Sequence, residues 1–347
     1  CCTTHRRCRP RTTSATRRRF FTDTAPGVTA PPPFRPASWL PGGHAQTIWP
    51  RFIPQAMPTL VRERLDTPDG DFVDIDWLPR QAAQPLVLLF HGLEGSSGSH
   101  YAKALMHALA ARGWNGAVVH ARGCAGEPNR LLRAYHSGDS AELDWLLPRV
   151  VPRNEGRPVY AVGVSLGGNV LCKWLGEQGQ AASKWLTAAA SVCAPVDLGA
   201  AGRALDEGFN RVYTQYFLRT MKPRALLKAQ RFPGLLDEAA IAACNSIRAF
   251  DDAVTSQIHG FRDADDYWTR CASRPLLKAV RTPLLLLQSL NDPMVPAWSL
   301  ATPDLLSSDV RPEYTAQGGH VGYVSGAPKG RLDWLPQRVL HFFDTGA

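Results

Sequence analysis

Residues Val159–Gly168 read VYAVGVSLGG, a β-branched apolar run that enters Gly163-Val164-Ser165-Leu166-Gly167. A serine held on a sharp strand-to-helix turn takes an unfavourable backbone conformation, and only small neighbours leave it room. Glycines on either side let strand and helix approach closely, so a hydroxyl can stand clear of the backbone. Five residues with three fixed occur by chance in many chains; the context is what selects here. A predicted strand precedes the turn and a predicted helix, Leu166–Gln178, follows it, with Val170, Leu171, Trp174 and Leu175 apolar on one side. Ser165 is therefore the candidate nucleophile.

Working outward, the same alternation recurs on both sides of the turn. Pro85–Phe90 (PLVLLF) precedes a helical pattern over Ser99–Arg112, and Gly116–His120 precedes one near Asp139–Leu147. Leu186–Cys193 and Thr282–Gln288 read as further buried strands, with a last strand near Glu313–Ala316 and a closing helix over Leu332–Phe343. Continuous Val/Leu strands alternating with helices predict an α/β architecture: a mostly parallel, doubly wound sheet covered on both faces. Upstream, Arg62–Thr67 and Asp71–Leu78 flank a Pro-Asp-Gly turn and predict an antiparallel N-terminal hairpin. Residues 37–60, rich in aromatic residues and proline, read as a strap on the surface. The rhythm breaks from Leu198 to Leu277, where no buried strand is found, so residues 198–277 are expected to form a helical cap insertion over the sheet's carboxyl edge. The α/β core would then comprise residues 34–197 and 278–347, behind a disordered basic and proline-rich tail, 1–33.

The net charge of +9 invites a nucleic-acid reading, but its distribution opposes it. Seven arginines and no acid lie in residues 1–22; without them 32 basic residues face 30 acidic ones, leaving +2. A near-neutral body implies no basic face and no nucleic-acid partner. The tail lacks the apolar core of a secretory signal. No apolar run approaches the roughly 18–20 residues needed to span a bilayer. A cytoplasmic setting is expected, with weak peripheral membrane contact left open. Five of the eight cysteines (124, 172, 193, 244 and 271) are widely spaced in apolar or helical contexts, without a C-x-x-C pair, and read as buried free thiols.

A serine hydroxyl needs a base, and the base needs an orienting carboxylate. Asp292 follows TPLLLLQ in SLNDPMVP (Ser289–Pro296), and His320 follows the last strand in QGGHVG (Gln317–Gly322). Each alone could be an ordinary loop residue. Together with Ser165 they give three groups after three strands, in the order Ser, Asp, His. An oxyanion hole would draw one N–H from Leu166 and a second from the loop FHGLEG (Phe90–Gly95), through Leu93. His91 is expected to order that loop, and His44, His100, His120 and His136 read as structural. Metal, phosphate-loop and dinucleotide motifs do not occur, so the chemistry is expected to need no metal and no cofactor.

With these residues assembled, the chain from about Phe34 onward resembles the YheT-like branch of the α/β-hydrolase superfamily. The resemblance extends to WLPGGHAQT (Trp39–Thr47), HGLEGSSGSHY (His91–Tyr101), HARGCAGEPN (His120–Asn129), YHSGD (Tyr135–Asp139) and FDDAVTSQIHGFRDADDYW (Phe250–Trp268). Trp268 departs from it, since a second tyrosine more often follows the one at Tyr267. The resemblance implies an α/β-hydrolase fold and ester chemistry on a small-molecule acyl substrate: a carboxylesterase or acylglycerol lipase acting on short- to medium-chain esters or monoacylglycerols. An acyltransferase using the same triad and a non-catalytic binding protein on the same scaffold are the alternatives. Phe209, Tyr213, Tyr216, Phe217, Phe261, Tyr267 and Trp268 read as the cap's own core in preference to an acyl pocket.

Overall fold

A computed structural model describes residues 33–345; residues 1–32 of the basic tail lie outside it. Eight strands form one sheet: β1 (Val61–Asp66), β2 (Phe72–Trp77), β3 (Leu86–Phe90), β4 (Asn115–Val119), β5 (Val159–Val164), β6 (Ala188–Val192), β7 (Leu284–Ser289) and β8 (Val310–Thr315). Their spatial order is β1-β2-β4-β3-β5-β6-β7-β8. β1 and β2 pair antiparallel, β2 joins β4 antiparallel, and every other pairing is parallel. The doubly wound sheet with its N-terminal hairpin is as the sequence predicts.

The pleat explains why β3 is apolar at every position. Leu86, Leu88 and Phe90 of β3 join one buried cluster and Val87 and Leu89 the other. The first face is closed by α3 (Ser140–Val150) and α4 (Leu166–Gln178), through Leu147, Leu171 and Trp174. The second is closed by α2 (His100–Arg112) and α11 (Trp334–Thr345), through Met106, Leu109 and Phe343. A strand buried on both faces has no place for a polar side chain except where it is hydrogen-bonded.

Two boundaries differ from expectation. The last strand begins at Val310, three residues early, because Arg311 and Pro312 register against Leu285 and Leu286 although their side chains are exposed. β6 is confined to Ala188–Val192, shorter than the apolar run that suggested it.

Between β6 and β7 the chain is helical, through α5 (Leu198–Leu205), α6 (Arg211–Arg231), α7 (Glu238–Ala243), α8 (Ile247–Phe250), α9 (Ser256–His259) and α10 (Ala264–Cys271). A π-helical turn, Asp251–Thr255, joins α8 to α9. Leu218, Ala225, Ile241, Phe250 and Val254 give this segment a small core of its own. No helix among the described residues is long and apolar enough to cross a membrane.

The strap lies on the surface as expected, with Trp49, Phe52 and Met57 exposed. Within it residues 43–48 form a short helix, α1 (Gly43–Ile48), of which Gln46, 1% exposed, is buried against loops of the sheet's carboxyl edge. A buried amide with two donors and two acceptor positions can satisfy several loop groups at once.

Candidate active site

Ser165 follows β5 and precedes α4 with φ 53° and ψ −120°. Such a conformation costs a non-glycine residue about 1–3 kcal/mol and persists only where its surroundings enforce it. Two contacts enforce it here. The Ser165 N–H donates to Val192 O at 2.8 Å, and strand and helix close tightly around the turn. A Cβ at Gly163 would lie 2.5 Å from Gly167 O, and one at Gly167 would collide with the Phe90 and His91 carbonyl oxygens. Both motif glycines are thus required by close approach.

The Asp292 and His320 loops leave β7 and β8 at the same edge of the sheet. His320 Nε2 lies 2.9 Å from Ser165 Oγ, and His320 Nδ1 lies 2.8 Å from Asp292 Oδ2. A carboxylate can only accept, so Nδ1 carries the proton and Nε2 presents its lone pair to the serine hydroxyl. The Asp292 side chain is fully buried, and its acceptor positions are filled. Oδ1 accepts the Met294 and Val295 N–H groups at 2.8 and 3.2 Å, and Oδ2 also accepts Gln288 Nε2–H at 2.9 Å. The carboxylate is fixed from three sides, and the imidazole with it.

The loop after β3 runs beside Ser165: a Cβ at Gly92 would lie 3.0 Å from Ser165 Cβ. The Gly92 N–H donates to Tyr101 Oη at 2.9 Å and the Glu94 N–H to Tyr135 Oη at 2.9 Å. Between them, the Leu93 N–H makes no hydrogen bond among the described residues, and neither does the Leu166 N–H at the start of α4. These are the two amides the sequence singled out. His91 donates from Nδ1 to Gly92 O at 2.8 Å and accepts the Ala121 N–H at Nε2 at 3.0 Å; burial pushes its pKa down to about 4, so it is a neutral strut of this loop.

Sequence reasoning missed the strap's part in the site. Gln46 Oε1 accepts from Gly318 N–H (2.9 Å) and Asn291 Nδ2–H (3.0 Å), while its Nε2 donates to Gln317 Oε1 (2.8 Å) and Leu40 O (3.0 Å). Thr47 Oγ1 accepts the His320 N–H at 2.8 Å. The loops bearing Asp292 and His320 are therefore tied together by a segment about 250 residues away in sequence. The one available signal was the His-Ala-Gln-Thr run within the strap resemblance.

A cavity of about 280 Å³ opens over Ser165, Leu93 and His320. Its wall combines core loops with insertion residues, including Phe217, Met221, Val254 and Trp268. The seven aromatic residues divide. Phe217, Tyr267 and Trp268 line the cavity, Phe261 packs on Tyr267 within the insertion, Phe209 and Tyr216 are exposed on the outside, and Tyr213 packs on His44. His136, also in the wall, packs against His259 with ring centroids 4.4 Å apart and planes tilted by 51°, and burial lowers their pKa values to about 4 and about 3.

Cys193 also lies close to the relay, its Sγ within 4.8 Å of donor atoms of Asp292 and His320. It accepts the Val321 N–H at 3.3 Å, and burial raises its thiol pKa far above the usual range. A thiol held protonated, beside a carboxylate whose acceptor positions are already taken, is a poor set of ligands for a cation.

Comparison with known proteins agrees with this architecture. Residues 85–327 match the family described as alpha/beta hydrolase fold. The chain is 40% identical over 319 residues to "Putative esterase YheT" of Escherichia coli, covering 90% of this chain and 93% of that protein. It is 30% identical to the human "Phospholipase ABHD3", covering 89% of this chain and 77% of that protein. Among solved structures, the mouse alpha/beta hydrolase domain-containing protein 10 aligns with a TM-score of 0.51 at 16% identity, over 83% of this chain and 100% of that one. This last likeness concerns the fold alone.

Proposed function

The chain belongs to the alpha/beta-hydrolase fold family, in its YheT-like branch, and is a carboxylesterase-like hydrolase; we propose that it cleaves carboxylic esters through Ser165, His320 and Asp292. The observation that carries this reading is the continuous relay from Asp292 Oδ2 through His320 to Ser165 Oγ, with steps of 2.8 and 2.9 Å, ending at a cavity.

In the proposed reaction the ester carbonyl sits against the free Leu93 and Leu166 N–H groups. His320 Nε2 takes the Ser165 proton as Oγ attacks the carbonyl carbon, and the two amides hold the resulting oxyanion. The imidazolium, stabilised by Asp292, then gives its proton to the departing alcohol. Water repeats the sequence on the acyl-enzyme and releases the carboxylic acid. Residues 198–277 act as the cap that encloses the acyl group. The apolar Phe217, Met221 and Val254 support short- to medium-chain acyl esters or monoacylglycerols as substrates. The name of the human phospholipase relative also supports acyl chains of a lipid ester.

Hydrolysis of p-nitrophenyl butyrate by wild type and Ser165→Ala tests the reading. Loss of a triad nucleophile typically costs a factor of about 10⁴–10⁶ in kcat, so the variant is expected to be inactive on this scale with its melting temperature maintained. Activity within tenfold of wild type would exclude Ser165 as the nucleophile.

A further inference from the structure

The loop that supplies Leu93 is held by more than its own backbone. Glu94 sits at φ 55°, in the left-handed region. Its N–H donates to Tyr135 Oη, and the same phenol donates back to Glu94 Oε1, both at 2.9 Å. A third group converges on that oxygen: Arg224 Nη1–H donates to Glu94 Oε1 at 2.9 Å. Arg224 belongs to α6 and so arrives from the helical insertion, 130 residues away.

The burial is lopsided. The Glu94 side chain is 6% exposed and its Oε2 is buried without a partner, whereas Arg224 is 42% exposed. Among the described residues no other cation pairs with Glu94. A carboxylate taken out of water needs a counter-ion to stay charged in place. Arg224 is that counter-ion. Without it the Glu94 carboxylate must move towards water, and that loosens the ring through Tyr135 that fixes the Leu93–Glu94 peptide. Leu93 N–H lies in the peptide immediately before, between two amides that are both pinned by tyrosines.

We propose that Arg224 is a positioning residue: the insertion carries it to Glu94, and through Glu94 it aims the Leu93 N–H at the oxyanion. The inference rests on the reading of Leu93 as an oxyanion donor. It adds that the hole is complete only when α6 is seated on the core, so that enclosing the substrate and preparing the transition-state site are one event. Arg224 also lines the cavity, so direct contact with substrate is the competing role, and the two differ in their kinetics.

The test is steady-state hydrolysis of a p-nitrophenyl ester by Arg224→Met, together with inhibition by a trifluoromethyl ketone, whose adduct places an oxyanion in the hole. A misplaced oxyanion donor lowers kcat, so kcat is expected to fall by about tenfold to a hundredfold with KM within about threefold. The inhibition constant is expected to rise by the same factor as kcat/KM falls, and Arg224→Lys, which keeps the charge, is expected to recover part of the loss. A kcat within twofold of wild type overturns the proposal, as does a loss carried by KM alone, which would mark substrate contact. Should the single variant strand the Glu94 carboxylate and fail to fold, Arg224→Met with Glu94→Gln leaves no buried charge to compensate and is expected to fold with kcat within about threefold of wild type. A pair that folds but loses kcat by about tenfold or more, or loses through KM alone, would show that Arg224 does not act through Glu94 and overturns the proposal. Ser165→Ala in parallel separates the failures. If it stays active, the reading of the site falls; if it is inactive while Arg224→Met keeps its kcat, only this proposal falls.

Discussion

At the scale of single residues, the site is a set of conformations that its neighbours leave no freedom to change. Ser165 keeps a positive φ because its N–H is spent on β6 and the two flanking glycines admit nothing larger. Gly92 tests the same logic on the oxyanion side. A methyl group there would meet Ser165 Cβ at 3.0 Å and Val164 O at 3.3 Å, so the loop must give by a few tenths of an ångström, at the cost of the Leu93 geometry. Gly92→Ala is expected to lower kcat by about tenfold or more while its thermal unfolding stays close to wild type. Unchanged kcat in a folded variant would mean that the loop does not bear on the transition state. The motif was legible because Gly163, Ser165, Gly167 and the strand before them lie within ten positions, although the groups that enforce their conformation, Val192 and Phe90 among them, do not.

At the scale of elements, the strands were legible and the strap's part in the site was not. A strand buried on both faces betrays itself by an unbroken apolar run, as in β3 and β7. The strap's contribution runs through Gln46, whose partners Asn291, Gln317 and Gly318 lie about 245–272 residues away, and through Thr47, whose partner His320 lies 273 away. Neither composition nor periodicity encodes such a bond. The cap shows a second kind of silence. Asp251, in the π-helical turn, accepts from Thr255 Oγ1–H at 2.7 Å and Trp268 Nε1–H at 2.8 Å, and burial pushes its pKa up to about 7. Below pH 4 the carboxyl is neutral in folded and unfolded chains alike. As pH rises towards 7 only the unfolded chain ionises freely, so the folded state loses stability across that window, by about 4 kcal/mol at order of magnitude. Asn at this position reproduces the neutral acid's hydrogen bonds, accepting from Trp268 and donating to Thr255. The difference in unfolding free energy between Asp251→Asn and wild type, followed in urea, is therefore expected to grow in the variant's favour from pH 4 to pH 7. A constant difference over that range would show that the carboxyl ionises as freely in the fold as outside it. His136 and His259, held neutral by burial, give the opposite slope in both proteins as pH falls below about 6.5, and cancel in the difference.

For the whole molecule, the arrangement follows from one rule of parallel sheets: loops leaving the carboxyl ends of neighbouring strands converge. β3, β5, β7 and β8 each deliver one component, and the insertion after β6 covers them. The excess of basic residues falls within residues 1–22, which is why charge gave no guide to chemistry while the chain order of Ser165, Asp292 and His320 after their strands did. What the sequence could not supply is the surface where the insertion meets the core, because Arg224 and Glu94 have no pattern in common. The central claim is that one serine among many is the nucleophile, and covalent labelling tests it most directly. The folded protein is treated with a fluorophosphonate probe, digested, and its modified peptide sequenced by mass spectrometry. One phosphonyl group per chain, on Ser165, with parallel loss of ester hydrolysis and no labelling of Asp292→Asn at the wild-type rate, is the predicted result. A stoichiometric adduct on any other residue, or ester hydrolysis that survives complete labelling of Ser165, would contradict it.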